Sequence, residues 1–397
     1  MTGLPRIAMV GRLGTPQLAC LRSWRRRGLD CLFVHADRAP LPWAVQRGLG
    51  VPCVQLGAAT LDDAAVVQRL AAALAAHRIE AVTCVSEPLS EALWAARPAL
   101  PAGVEVLGVR PEQVRVLESK VRQDALARRC GLPVLPSWQF LPGDLDAVRR
   151  PPDEAFPLVL RPDVALQVQP AFKVQVVADR TALERFVACL APSSCGVIAQ
   201  PLVRGPNLLV HGFRSADGRV HGHVAFRVEV KHQGFTVVMR PVPLRPEIAA
   251  GCARVEAALG LTGVFHYEFI EDAASGRLAF LDLNPRFGGT TGKALAAGYD
   301  EPLALLACAR PGMLPAEAFV APRLRSAGGA HQVLRALAGA LGGSSTAADY
   351  PYPDRARLLR ELGRWLLQGR DEVLRPEALR SLVAFGAYQI LKRAAAR

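Results

Sequence analysis

Hydrophobic and polar positions alternate most regularly over two short stretches late in the chain, 264–270 and 279–284. Period-two alternation is that of a β-strand with one face on a core. Between them, 271–277 are rich in turn formers, so the pair reads as a β-hairpin. On its second strand Asp282 and Asn284, with Arg286 just beyond, fall two residues apart and share a face. Leu281 and Leu283 are then expected to point into the core. If the turn centres near Ser275, Glu268 lies directly opposite Asp282, with Cβ atoms roughly 4.5–5.5 Å apart.

The first 110 residues alternate short apolar runs with amphipathic stretches. Strands are predicted at 7–10, 31–34, 51–56, 81–85 and 104–109, with helices over 18–27, 61–77 and 88–98. This is a βαβ pattern and implies a parallel sheet. Its first turn, from Gly11 to Thr15, has two glycines but lacks the full dinucleotide-binding fingerprint. From 111 the character changes. One helix is predicted over 111–130, stopped by Gly131 and Pro133. Strands follow at 158–161, 173–177, 196–200, 207–213 and 221–230, with helices over 181–190 and, ahead of the hairpin, 246–259. Beyond 345 the pattern is helical.

The fold class expected is therefore mixed, α/β and α+β. A Rossmann-like βαβ domain spans 1–110, a region of two α+β lobes spans 111–310 (111–200 and 201–310), and a helical extension covers 311–397. Within that extension, 379–393 is an apolar helix ending in Lys392 and Arg393. Such an end can lie on a membrane surface. Packing against the body, or against a second subunit of a homodimer, is the preferred reading.

Composition changes the picture in three ways. With 51% apolar and 21% charged residues, no apolar window of about 18 residues and no charged-then-apolar start, a cytoplasmic globular protein is expected. Nine scattered cysteines with no C-x-x-C pair argue against a disulfide framework and a zinc site. The net charge of +13 invites nucleic acid, but the arginines are dispersed and no nucleic-acid partner is expected. Of 48 basic residues only five are lysines, and Lys120, Lys173, Lys231 and Lys293 are four of them. His211, His221 and His223 sit on adjacent predicted strands, where a solvated strand face accounts for them at least as well as a metal.

Two facing carboxylates either raise one pKa strongly or recruit a cation, and oxygen ligands suit Mg²⁺, which commonly bridges to substrate phosphates. Four segments then resemble, in order, the ATP-grasp superfamily of carboxylate-amine and carboxylate-thiol ligases, over roughly 110–310. Ser119 and Lys120, with Gly131 and Pro133 downstream, resemble the helix-borne lysine and its exit. Pro157 to Pro162 resembles the strand carrying a second phosphate cation, with Arg161 where the pattern has lysine. The loop after it, 163–172, holds no glycine, whereas relatives close a glycine-rich loop over the phosphates. Val197 to Asn207 resembles the linker that grips adenine. The hairpin resembles the metal motif, with Asp282 for a more usual glutamate.

The resemblance implies ATP and Mg²⁺ as cofactors and small-molecule carboxylate and amine substrates. By it, Lys120 and Arg161 approach the phosphates, Gln200, Pro201 and Val203 hold the base, and Asn207 stands at the ribose. Glu268, Asp282 and Asn284 are metal ligands, Arg286 is the cation beside the acyl phosphate, and Lys231 contacts the γ-phosphate. The implied activity is ATP-dependent ligation through an acyl phosphate attacked by an amine or thiol. The alternative is a non-catalytic, regulatory nucleotide-binding protein with a degraded phosphate loop.

Overall fold

The computed structural model describes residues 5–164, 167–312, 314, 318–343, 349–352 and 354–373. Near the N-terminus β1 (Ile7–Gly11), β2 (Cys31–His35), β3 (Cys53–Gln55), β4 (Ala81–Cys84) and β5 (Glu105–Val106) form a parallel sheet in the order β3-β2-β1-β4-β5. Every residue of β1, β2 and β4 is buried, as a parallel sheet covered on both faces requires. Its helices are α1 (Thr15–Arg26), α2 (Trp43–Leu49), α3 (Ala64–Ala76) and α4 (Glu87–Ala96). The short α2 carries too little periodicity to have been expected.

The single helix expected over 111–130 is broken into α5 (Pro111–Val114) and α6 (Lys120–Arg129). Ser119 is the reason: its backbone is extended and its hydroxyl caps α6, accepting from the Arg122 amide at 3.2 Å. The same hydroxyl donates to Asp163 Oδ1 at 2.7 Å, and that carboxylate also accepts from the Val121 amide at 3.0 Å. The break sets Lys120 in the first turn of α6, against the hairpin.

Next, β6 (Trp138–Phe140), β7 (Leu158–Pro162), β8 (Gln175–Val177) and β9 (Val197–Pro201) form an antiparallel sheet ordered β6-β9-β7-β8, with α7 (Arg180–Ala188) beside it. It has its own core, including Phe140, Leu158, Leu160, Leu183, Val187 and Val197. The β6 strand, only three residues long, was not expected.

The largest sheet comprises β10 (Asn207–Arg214), β11 (His221–His232), β12 (Phe235–Val242), β13 (Gly263–Glu271), β14 (Leu278–Asn284), β15 (Ala327–Gly328) and β16 (Arg370–Asp371), ordered β14-β13-β10-β11-β12-β15-β16. The unexpected β12 follows Lys231 in sequence but lies on the side of β11 away from the hairpin, so only β10 stands between the Lys231 strand and β13. Helix α8 (Pro246–Leu259) packs on one face through Cys252 and Val255 against Phe265, Tyr267, Phe269 and Leu283. On the other face α9 (Thr291–Ala297) and α10 (Glu301–Ala309) share a core with α1: Leu21 and Trp24 join Leu209, Phe226, Leu303 and Leu305. Trp24 Nε1 donates to the Pro302 carbonyl at 3.2 Å, locking the first sheet to the third.

Residues past 310 are not purely helical. Helices α11 (Ala330–Leu341) and α12 (Arg355–Gln368) flank a large-sheet edge that β15 and β16 extend. The expected helix at 379–393 lies outside the described residues. Among the described residues no helix is long and apolar enough to cross a membrane.

Candidate functional site

The hairpin turn is built by Asp272, whose Oδ1 accepts from the amides of Ala274 and Ser275, both at 2.8 Å, and by Gly276 at φ 68°. That turn fixes the register, and Glu268 does face Asp282, with His266 facing Asn284 in the next row. One expectation fails here. A β-bulge follows the Glu268 and Asp282 pair, so Phe269 faces Phe280 and Leu281 is the extra residue. Leu281 is only partly buried and Phe280, 2% exposed, fills the core in its place, whereas Leu283, also 2% exposed, lies in the core as expected.

Lys120, from the first turn of α6, reaches across to Asp282 and binds its carboxylate. Glu268 has His266 Nε2 at 3.7 Å from Oε1. Desolvation pushes the Glu268 carboxyl up, but the His266 contact, Lys231 and Lys120 outweigh it and bring it to about 2. Arg286 is a hub. Its guanidinium donates to Asn284 Oδ1 at 3.1 Å and to Glu87 Oε1, on the first turn of α4, at 2.9 Å.

The cations and amides assigned to the nucleotide are brought to the same side, each with a partner. Arg161 donates to the Leu281 carbonyl at 2.8 Å and to Gln200 Oε1 at 2.7 Å, and Gln200 Nε2 donates to Asp124 Oδ2 at 2.8 Å. Gln200 is buried and both ends of its amide are used within the chain. Desolvation raises the Asp124 carboxyl to about 6 despite Arg161 beside it. Lys231 Nζ donates to Asn207 Oδ1 at 3.2 Å, and burial lowers its pKa although Glu268 opposes this. Pro201 and Val203 lie partly exposed on the strand end and linker leading to Asn207. The linker is fastened to the hairpin by the Arg204 carbonyl, which accepts from the Ala273 amide at 2.9 Å. A cavity of about 180 Å³ adjoins Lys231, lined also by His232, Asp349, Tyr350, Tyr352 and Arg355; no other residue assigned to the nucleotide lines it.

The three histidines do not form a solvated cluster. His211 is fully buried and pairs through Nδ1 with Glu301 Oε1 at 2.9 Å; on the other sheet face His223 meets Glu256 Oε1 at 2.6 Å; only His221 is exposed. His211 stacks on His266, ring centroids 5.7 Å apart, and Thr291 Oγ1 donates to Glu301 Oε2 at 2.5 Å. This array braces the Gly288 turn behind Arg286, because a Cβ at Gly288 would meet His266 Cε1 at 2.8 Å. Sequence reasoning missed His266 and Glu87. Their alternation and helix-start positions are ordinary, and the Glu87 contact spans 199 residues.

Two facing carboxylates and one amide make a set of hard oxygen donors. Among the described residues no group of three or more His, Cys, Asp or Glu is disposed to hold a metal. By their chemistry such donors suit Mg²⁺ of the kind held by one or two carboxylates with substrate phosphates completing the shell.

No protein-family model matches the chain. Among solved structures it is similar to biotin carboxylase from Campylobacter jejuni, a complex with β,γ-ATP, at TM-score 0.64 and 16% identity, covering 81% of this chain and 74% of that one. It is similar to N5-carboxyaminoimidazole synthetase from Staphylococcus aureus at TM-score 0.61 and 13% identity, covering 79% of each. It is also similar to an L-amino acid ligase from Bacillus licheniformis at TM-score 0.57 and 18% identity, covering 82% and 79%. All three are ATP-grasp enzymes, and the chain has their fold. A curated relative, the multifunctional protein pyr-3 of Neurospora crassa, is 27% identical over 183 residues, 44% of this chain and a tenth of that protein.

Proposed function

We propose that the chain is an ATP-dependent ligase that activates a carboxylate as an acyl phosphate and passes the acyl group to an amine or thiol. The observation that carries this reading is the register of the hairpin. It sets Glu268 against Asp282, with Lys120 on one carboxylate and Arg286 on the adjoining Asn284, inside a fold shared with ATP-grasp enzymes. The C. jejuni neighbour was solved with an ATP analogue, and a biotin carboxylase domain of Hydrogenobacter thermophilus with MgADP and bicarbonate.

In this reading residues 1–110 contribute to the acceptor side, 111–310 clasp the nucleotide, and 311–397 buttress the large sheet. The base rests against the backbone at Pro201 and Val203, since the Gln200 amide is spoken for by Arg161 and Asp124. Asn207 and Lys231, already in contact, face the ribose and phosphates together. Lys120 and Arg161 spread phosphate charge from α6 and β7. As arginine, residue 161 does this while tying β7 to β14, a fork where lysine offers one point charge. Glu268, Asp282 and Asn284 would hold Mg²⁺, which when bound neutralises phosphate oxygens and orients them for in-line transfer. Arg286 is placed beside the acyl centre. No protein nucleophile is needed, because positioning and charge neutralisation supply the rate.

One observation favours a second reading, a nucleotide-binding regulator without turnover. The Asp163 carboxylate sits on the first-turn amide of α6, at the start of the glycine-free loop. A screen for ADP release with Mg²⁺-ATP against pooled carboxylates and amines separates the two. Release that needs one acid and one acceptor is the outcome expected of a ligase. Nucleotide binding with no release under any pool would replace it with the regulator.

A further inference from the structure

Helices α11 and α12 are apolar on two faces each. Their inner faces, through Val333 and Ala336 of α11 and Leu358, Leu362 and Trp365 of α12, share one core with Val230, Val237 and Val238 of the large sheet. Ala336 and Ala340 line the same cavity as Leu358, so the two helices lie side by side. The faces turned away from that core are apolar as well. On α12, Leu366 and Leu367 are 68% and 86% exposed, and with exposed Leu359 and with Gly363 they follow the i, i+4, i+7, i+8 spacing of one helix face. On α11, Leu334 and Leu341 are exposed seven residues apart, two turns along one face. A helix apolar all round belongs in a core or against lipid, and grouped exposed leucines mark an interaction surface.

We propose that the outer surface of α11 and α12 docks on a membrane of anionic phospholipid, its leucines entering the headgroup boundary and its arginines meeting lipid phosphates. This surface stands apart from the candidate site and does not depend on the ligase reading. Charge selects the occupant. Arg355, Arg360 and Arg364 are exposed beside the leucines of α12, and Arg335 is exposed on α11. Helix α11 holds no acidic residue, and the one within α12, Glu361, is buried and bound to Arg364 at 2.9 Å. A second copy docking face to face would set arginine against arginine. Residues 374–397 hold five basic residues against one acidic, so covering the face with them would also bring like charges together. Nucleic acid would match the arginines and leave the leucines in water. An anionic bilayer satisfies both: acyl chains take the leucines, and the arginine stems lie along apolar surface while their heads reach phosphate. With fourteen residues α12 is too short to span a bilayer, so it lies in the surface plane.

The test is co-sedimentation of the full-length protein with vesicles of phosphatidylcholine alone, or of phosphatidylcholine mixed equally with phosphatidylglycerol. Wild type is expected to partition at least about tenfold more strongly onto the mixed vesicles, and to be released by added salt. Leu366→Asn combined with Leu367→Asn should weaken that partition about tenfold or more, and Arg360→Ala about fivefold. Both variants should keep the wild-type melting curve in circular dichroism, because the altered side chains are exposed. If the double variant melts early, Arg360→Ala and the salt dependence carry the test. Wild type left in solution with both vesicles, equal partition onto both, or a folded double variant that binds as wild type does overturns the proposal. A wild type that dimerises in sedimentation velocity, a monomeric double variant and no vesicle binding by either would give the face to a second copy instead.

Discussion

Two buried residues show how ionisable groups are held around the site. Glu301 is fully buried; desolvation pushes its carboxyl up, and the charge and hydrogen bond of His211, with Thr291, outweigh that and hold it low. Removing the imidazole in His211→Ala leaves a buried carboxylate short of its partner. We expect a loss of about 3–5 kcal/mol in urea unfolding, against under about 1 kcal/mol for His221→Ala on the exposed strand. Asp124 behaves in the opposite sense. Its folded pKa, about 6, lies above the ordinary 3.8 because burial disfavours the charge. The folded state thus binds the proton more tightly than the unfolded state, so stability is greatest below the unfolded pKa and falls as pH rises toward 6. Asp124→Asn removes this dependence. Relative to wild type the variant should gain on the order of 2 kcal/mol between pH 4 and pH 7. Equal shifts for both proteins in urea titrations at the two pH values would contradict the assignment.

At the scale of the element, what was legible in the sequence depended on how local the cause was. The Glu268 and Asp282 pairing could be read because a single turn sets it, and Asp272, which shapes that turn, lies within the same hairpin. The bulge at Leu281 could not, since 278–281 is an unbroken apolar run in which no residue's face can be read. The break between α5 and α6 was equally hidden: Ser119 caps α6 in concert with Asp163, 44 residues away. Gln200 was read as a base contact because nothing nearby shows that Arg161 and Asp124 occupy both ends of its amide. The linker offers a direct test. A Cβ at Gly205 would fall 1.8 Å from the Glu271 carbonyl oxygen, a backbone atom that cannot swing aside. Gly205→Ala should therefore displace the linker from the hairpin, costing about 1–3 kcal/mol in stability and weakening ATP binding more than a Gly363→Ala control in α12, where an added Cβ meets nothing. Unaltered nucleotide affinity in Gly205→Ala would separate the linker from the base site.

Over the whole molecule, the three sheets are not equally independent. The β6 to β9 sheet has a core of its own, whereas the first sheet and the large sheet share one through α1, α9 and α10. The sequence divided the chain at 110 from composition and periodicity, which report where patterns change and not where apolar surfaces are shared. Deleting residues 1–110 uncovers the α9 and α10 face that Leu21 and Trp24 cover. The shortened chain should aggregate or unfold without a cooperative transition in calorimetry, since exposed apolar area of this kind drives association. Soluble, cooperatively folding 111–397 would show that the shared core is dispensable. The candidate site draws on all three sheets: Glu87 from the first, Arg161 and Gln200 from the second, and the hairpin from the third. Such an assembly is invisible to any window of sequence, though each contributing segment is legible by itself. The measurement closest to the central claim is titration calorimetry of ATP into the full-length protein, with and without Mg²⁺, for wild type and Asp282→Ala. The account predicts saturable binding to wild type that strengthens with Mg²⁺, and loss of that Mg²⁺ dependence in a folded Asp282→Ala. No binding to wild type at millimolar nucleotide, or the same Mg²⁺ dependence in both proteins, would contradict it.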